Sequence, residues 1–295
     1  MVLLVLDSLH FVFARLLLPH IEPRVSVLYV LAVSTVQVGI FGVLTRRIHW
    51  QIARRHFWLF VAIGALIAVS TMANYEAVAF IDPGTASLLS QTSVLFGLAF
   101  GLFWLRDRLT RRQIAGALLA VSGVFVITFQ PGDYLRLGAL ITVSSALMYA
   151  LHAALAKAYG GEMDFVDFFF FRLLFTTGAL LCVSLARGAL SLPTPGALAL
   201  IVLVGTVDVV LSRTLYYLAL RRLKLSVHTL VLTLSPIAAI AWSLLLFKSI
   251  PSTQQLVGGG AVIAGVMIVT RSHAAVTSRN LTPEPCSITP EPEVT

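Results

Sequence analysis

Charge is what this sequence has least of. Asp, Glu, Lys and Arg make up only 12% of the 295 residues, about half the share usual in soluble domains. Hydrophobic residues make up 58%, and a water-soluble chain would lack the polar surface to cover so much apolar volume. Lipid removes that difficulty, because apolar side chains can then face outward. Cysteine is equally scarce. The two present, Cys182 in an apolar run and Cys286 in a polar tail, exclude a disulfide framework. There is no HExxH, GxSxG or Walker pattern and no metal-spaced Cys/His cluster, so neither enzyme chemistry nor a metal or other cofactor is indicated. The first twenty residues lack a basic start and carry Asp7 and His10 within the apolar stretch, unlike a signal peptide.

Long apolar runs are abundant instead. Ten stretches come near the roughly 20 residues needed to cross a bilayer. They are 1–18, 26–45, 57–80, 85–105, 111–129, 137–158, 165–186, 196–220, 226–247 and 255–270. The connections between them are short and carry breakers such as Asp82-Pro83-Gly84 and Pro193 to Pro195. From Ser272 the chain turns Pro/Glu-rich, so 272–295 is expected to be a disordered cytoplasmic tail.

The halves repeat. Shifting the sequence by 142 residues lays 75–128 on 217–270 without a gap, pairing Tyr75 with Tyr217, Ser93 with Ser235, Gln113 with Gln255, Gly116 with Gly258 and Gly123 with Gly265. The same shift pairs His10 with His152. Repeats of about 1–129 and 137–271 therefore hold five helices each. Five is odd, so the second repeat must be inverted. Basic residues test this, because they gather in cytoplasmic loops. Loop 2–3 has Arg46, Arg47, Arg54 and Arg55, while loop 7–8 has only Arg187. Loop 3–4 has none, while loop 8–9 has Arg221, Arg222 and Lys224. The alternation predicts an all-α integral membrane protein of ten helices, with both termini cytoplasmic. The formal charge of +8 thus reflects topology, and no nucleic-acid partner is expected.

The run A-x-x-x-I-D-P-G-T-A-S-L-L-S, followed by R-D-R-L-T-R-R-Q-x-x-G-A-L-L-A-V-S-G-V, resembles the EamA domain of the drug/metabolite transporter superfamily, as does the later Y-Y-L-A-L, L-S-P and Q-Q-L-V-G. The resemblance spans about residues 5 to 270. It implies a ten-helix secondary transporter or exporter of amino acids, metabolites or toxic compounds. Three positions depart from the family pattern. The acidic residue before helix 5 is Asp107 but its counterpart is Ser249; the helix-4 proline is Val94, while helix 9 keeps Pro236; and the arginine early in the second helix of each repeat is Arg172 in one half and Val30 in the other.

Ionisable groups within apolar spans are costly and must face a cavity, pair or snorkel to the surface. Asp208 and Asp7 fall near mid-span, with His10, His152, Arg172 and Arg213 nearby. Arg172–Asp208 is one pairing, and a structural ion pair is weighed against a solute or proton site. Arg15 and Asp167 lie near helix ends, where snorkelling explains them. Glu76 is ambiguous. Tyr149 and His152 share a helix face, and Asn74 and Tyr75 extend a second polar stripe. The candidate solute-binding residues are Asp208, Arg213, Arg172, His152, Tyr149, His10, Asp7, Asn74 and Tyr75. The expected partners are a small polar or zwitterionic solute, the lipid bilayer and protons. The alternatives are a channel-like or structural membrane protein, or an exporter of hydrophobic or cationic toxic compounds. Ser93, Gly97 and Gly101 read as a helix-packing line.

Overall fold

The computed structural model describes residues 2–104, 110–128, 133–159, 163–188, 190–216, 234–249 and 251–280. All regular elements among the described residues are helical. They are α1 (Val2–Ser8), α2 (His10–Leu17), α3 (Pro23–Leu44), α4 (Trp50–Arg55), α5 (Phe57–Ala77), α6 (Pro83–Ser90), α7 (Thr92–Phe103), α8 (Arg111–Thr128), α9 (Asp133–Tyr159), α10 (Phe165–Ala186), α11 (Pro195–Val204), a π-helical turn (Gly205–Leu211), α12 (Ser235–Phe247) and α13 (Thr253–Asn280). Seven helices are long and apolar enough to cross a membrane, counting Pro83–Phe103 and Pro195–Tyr216 each as one.

Short sequence signals set the helix starts. Asp82 precedes Pro83 and accepts the Thr85 N–H at 3.0 Å, while Thr194 precedes Pro195 and accepts the Ala197 N–H at 3.3 Å. Proline at the first helical position sacrifices no hydrogen bond there, and the capping oxygen satisfies an otherwise orphaned N–H.

Five expectations are revised. The first span, 1–18, breaks at Leu9, whose N–H reaches back to Leu6 instead of Val5. The fourth, 85–105, breaks in the same way at Gln91, whose N–H meets Leu88. The eighth, 196–220, contains the π-helical turn. The last helix continues past 270 to Asn280, with no proline between Thr253 and Asn280 to end it; residues 281–295 of the expected tail lie outside the described ones. The loop after α3 holds the short helix α4. Of the expected ninth span, 226–247, only the part from Leu234 is described; Tyr217 and Arg221 to Lys224 lie outside.

The 142-residue offset reappears as contact. The Thr35 and Thr177 hydroxyls, equivalent in the two halves, meet at 2.9 Å between α3 and α10. On α8 and α13, Gly116 lies against the Gly265 carbonyl and Gly123 against that of Gly258, with the reverse contacts also made. As numbering rises along α8 it falls along α13, so the two helices run antiparallel. Reciprocal contacts of this kind are what a two-fold axis perpendicular to the helices produces. Similarly, Gly64 on α5 abuts Phe175 and Thr176 of α10, while Gly205 abuts Val30, Val33 and Ser34 of α3. Without a hydrophobic drive between helices in lipid, such close backbone approach supplies the packing energy. Gly97 does not share this role: among the described residues, a Cβ placed there meets nothing within 4 Å.

The end of the bundle that carries α4 is tied by Asp167. Its carboxylate is fully buried and accepts the His49 backbone N–H at 2.8 Å and bonds His49 Nδ1 at 2.9 Å. Snorkelling therefore does not describe Asp167, which anchors the α3–α4 connection to α10. Asp167→Ala leaves that N–H without its acceptor and is expected to cost about 1–3 kcal/mol, read as a lower melting temperature of the solubilised chain, with Asp167→Asn milder.

Candidate functional site

A cavity of about 660 Å³ lies inside the bundle, within the size range of small-molecule sites. All nine residues singled out above line it. Helices α1 and α2 supply Asp7 and His10 on either side of the break at Leu9. Gln91, at the second break, lines it with Ser90 and Ser93. The π-helical turn supplies Asp208. Among the described residues, these three irregular backbone points within the expected spans thus border the same space. Irregular backbone at membrane depth is tolerated where it lines a cavity, and π turns are frequent at functional sites.

Asp208 is 4% exposed and bonds His10 Nδ1 at 2.8 Å. The sequence pairing of Asp208 with Arg172 is therefore replaced: the fold brings helix α2, not α10, to Asp208. Tyr75 stacks edge-on against His10 at 5.9 Å between ring centroids. Asp7 faces Arg213, Oδ1 to Nη1, at 3.9 Å, a loose ion pair. Arg172 sits over the Phe169 ring at 5.3 Å. His152 packs edge-on against Tyr149 at 4.5 Å, so the repeat-related histidines His10 and His152 have different partners. Ser145 donates to Asn74 Oδ1 at 2.6 Å and meets Ser70 at 2.9 Å, tying α9 to α5 beside the cavity.

The two ends of the cavity differ. Toward the α4 end it extends past Ala153 and Ala156 of α9 and Phe165 of α10, and Ala153 is exposed. At the other end, Leu17, Val25, Val78 and Ile81 are buried together. There Arg15 donates to the Val78 carbonyl, and Arg24 pairs with Glu76. Arg15 thus satisfies a helix-end carbonyl instead of snorkelling, and the Arg24 pair explains Glu76.

Sequence reasoning missed Ser70, Ser87, Ser90 and Gln91 in the cavity wall. A run of hydroxyls within apolar helices was the available signal. Isolated serines are common in membrane helices, so that signal is weak.

The EamA-like transporter family model matches residues 1–129 and again residues 136–271. The chain belongs to this family. The EamA-like match covers both halves, in agreement with the repeat, and makes the chain a member of a transporter family and not of an enzyme family. A relative from Streptantibioticus cattleyicolor, a probable terminal-alkyne amino-acid exporter, is 26% identical over 215 residues, covering 70% of this chain and 72% of the relative. A crystal structure of another protein superposes with a TM-score of 0.64 at 19% identity, covering 92% of this chain and 95% of that one; the likeness extends to the fold alone.

Proposed function

We propose that this EamA-like protein is a secondary transporter that exports a small polar or zwitterionic metabolite, such as an amino acid, by alternating access. The observation that carries this reading is the cavity: one space collects two carboxylates, two guanidiniums and two imidazoles inside a lipid-facing bundle. A zwitterion matches that mixture of charge, and the relative named as a probable amino-acid exporter supports it. The architecture proposed is ten transmembrane helices in two inverted five-helix repeats, 1–129 and 137–271, with a polar tail. The antiparallel glycine contacts between α8 and α13 support the inversion, and inverted repeats provide two packings of nearly equal energy. Both termini are assigned to the cytoplasm and the chain to the cell membrane. The cavity then opens inward, and Arg15, Arg24 and Glu76 close its outer end. Protons are the proposed coupling ion, taken up at the Asp208–His10 pair.

Proteoliposomes test this directly. Labelled amino acid should undergo saturable counterflow, which a channel does not produce. Net efflux should rise when the compartment receiving the solute is made acidic. Absence of counterflow for any amino acid would remove the solute assignment, and efflux indifferent to a pH gradient would remove the coupling. The orientation has its own check. With Cys182 and Cys286 replaced, Ala153→Cys should react with an impermeant maleimide in inside-out vesicles but not in right-side-out ones.

A further inference from the structure

Arg172 Nε, buried in the cavity wall, has no hydrogen-bond partner among the described residues. Both carboxylates of the cavity are already engaged, Asp208 by His10 and Asp7 by Arg213. That leaves Arg172 without a carboxylate partner among the described residues, with its guanidinium over the Phe169 ring. A guanidinium enclosed in a membrane bundle without a carboxylate is costly, and ring stacking offsets part of that cost. His152 is 5% exposed and packs on Tyr149, and both line the cavity together with Arg172 and Arg213. A guanidinium whose Nε is unpaired presents the planar fork that binds a carboxylate by two parallel hydrogen bonds.

The repeat sharpens the argument. The position equivalent to Arg172 is Val30, which lines the same cavity on α3. Val27, Leu31 and Ile67 continue that apolar wall. The cavity thus carries a guanidinium among the aromatic residues of α10, while its α3 lining is apolar throughout. Asp7 and Asp208 would repel a dianion such as phosphate.

We infer that Arg172, with His152 and Tyr149, anchors the carboxylate of the solute, and that the Val27–Val30–Leu31 wall takes an apolar side chain, so that the transported class is α-amino acids with neutral, apolar side chains. This inference rests on the transporter reading above.

Thermal-shift titration of the full solubilised chain tests it with L-leucine, leucinamide, 4-methylpentanoate, L-aspartate and inorganic phosphate. Leucine should bind about 100-fold more tightly than leucinamide, which lacks the carboxylate. Aspartate and phosphate should not bind. In Arg172→Gln, leucine should weaken to the level of leucinamide, while leucinamide itself changes by less than about threefold. Arg172→Lys, which keeps the charge but loses the fork, should fall between them. Because the readout is a ratio within one variant, a general loss of stability does not imitate it. Leucinamide binding as well as leucine, or both weakening equally in Arg172→Gln, would overturn the subsite. If counterflow occurs with other solutes but leucine does not bind, the transporter reading stands and this inference falls. If no solute shows counterflow, both fall.

Discussion

Gly123→Leu is expected to abolish the folded, monodisperse protein. A Cβ at Gly123 falls 2.5 Å from the Gly258 carbonyl oxygen and 2.7 Å from the Val262 nitrogen. Both are backbone atoms of α13, so no rotamer change relieves the overlap, and the helices must separate. Separation undoes the reciprocal contact at Gly116 and Gly265 as well, because the four glycines share one crossing. Overpacking a close interface costs about 3 kcal/mol or more when the obstruction is backbone, a large share of a stability of roughly 5–15 kcal/mol. Size-exclusion chromatography in detergent should show aggregate in place of a single peak. Gly178→Leu is the control: a Cβ there meets nothing within 4 Å, and the change should leave the profile intact. A monodisperse Gly123→Leu protein with unchanged melting behaviour would overturn the close approach of α8 and α13.

That crossing was written in the sequence, since Gly116, Gly123, Gly258 and Gly265 stand at one offset in both halves. The Thr35–Thr177 contact follows the same offset, although nothing in the sequence marked those threonines for contact. Helix ends were legible wherever proline follows a capping side chain, as at Pro83 and Pro195. The breaks at Leu9 and Gln91 were not, because neither has glycine or proline beside it. A chain can exchange one i−4 bond for an i−3 bond at small cost where a nearby hydroxyl takes the freed carbonyl, as Ser8 does for Val5 and Ser90 for Ser87, both at 2.7 Å, and hydropathy does not register that exchange. The π-helical turn was hidden for the same reason.

In the cavity, mid-span charge was enough to select Asp7, Asp208, Arg172 and Arg213, because lipid makes such residues conspicuous. Their pairing was not legible. Helical spacing describes a single helix, whereas His10 reaches Asp208 across 198 residues. Asp167 misled for the opposite reason: its place at a helix end suggested an exposed charge, and the fold buried it beneath the α3–α4 connection.

The largest functional effect is expected at Asp208. The carboxylate is almost sealed from solvent, at 4% exposure, and lies 2.8 Å from His10 on a π-helical turn lining the cavity. In a bundle surrounded by lipid, an ionisable pair at this depth is expensive to keep, which favours a role that needs the charge to change. Asp208→Asn preserves shape and can still bond His10, but it cannot take up or release a proton. Efflux driven by a pH gradient should therefore fall by about 100-fold or more, the scale at which removing a proton-transferring group is felt. Counterflow exchanges labelled for unlabelled solute without net proton movement, so it should persist in the same variant. His10→Gln leaves the carboxylate in place, and efflux should continue with its pH dependence displaced. Loss of both efflux and counterflow in Asp208→Asn, with the melting temperature kept, would instead make Asp208 part of the solute site. Loss of all three would make the His10–Asp208 pair a structural tie between α2 and the π-helical turn. Only retained exchange with lost coupling identifies Asp208 as the proton carrier.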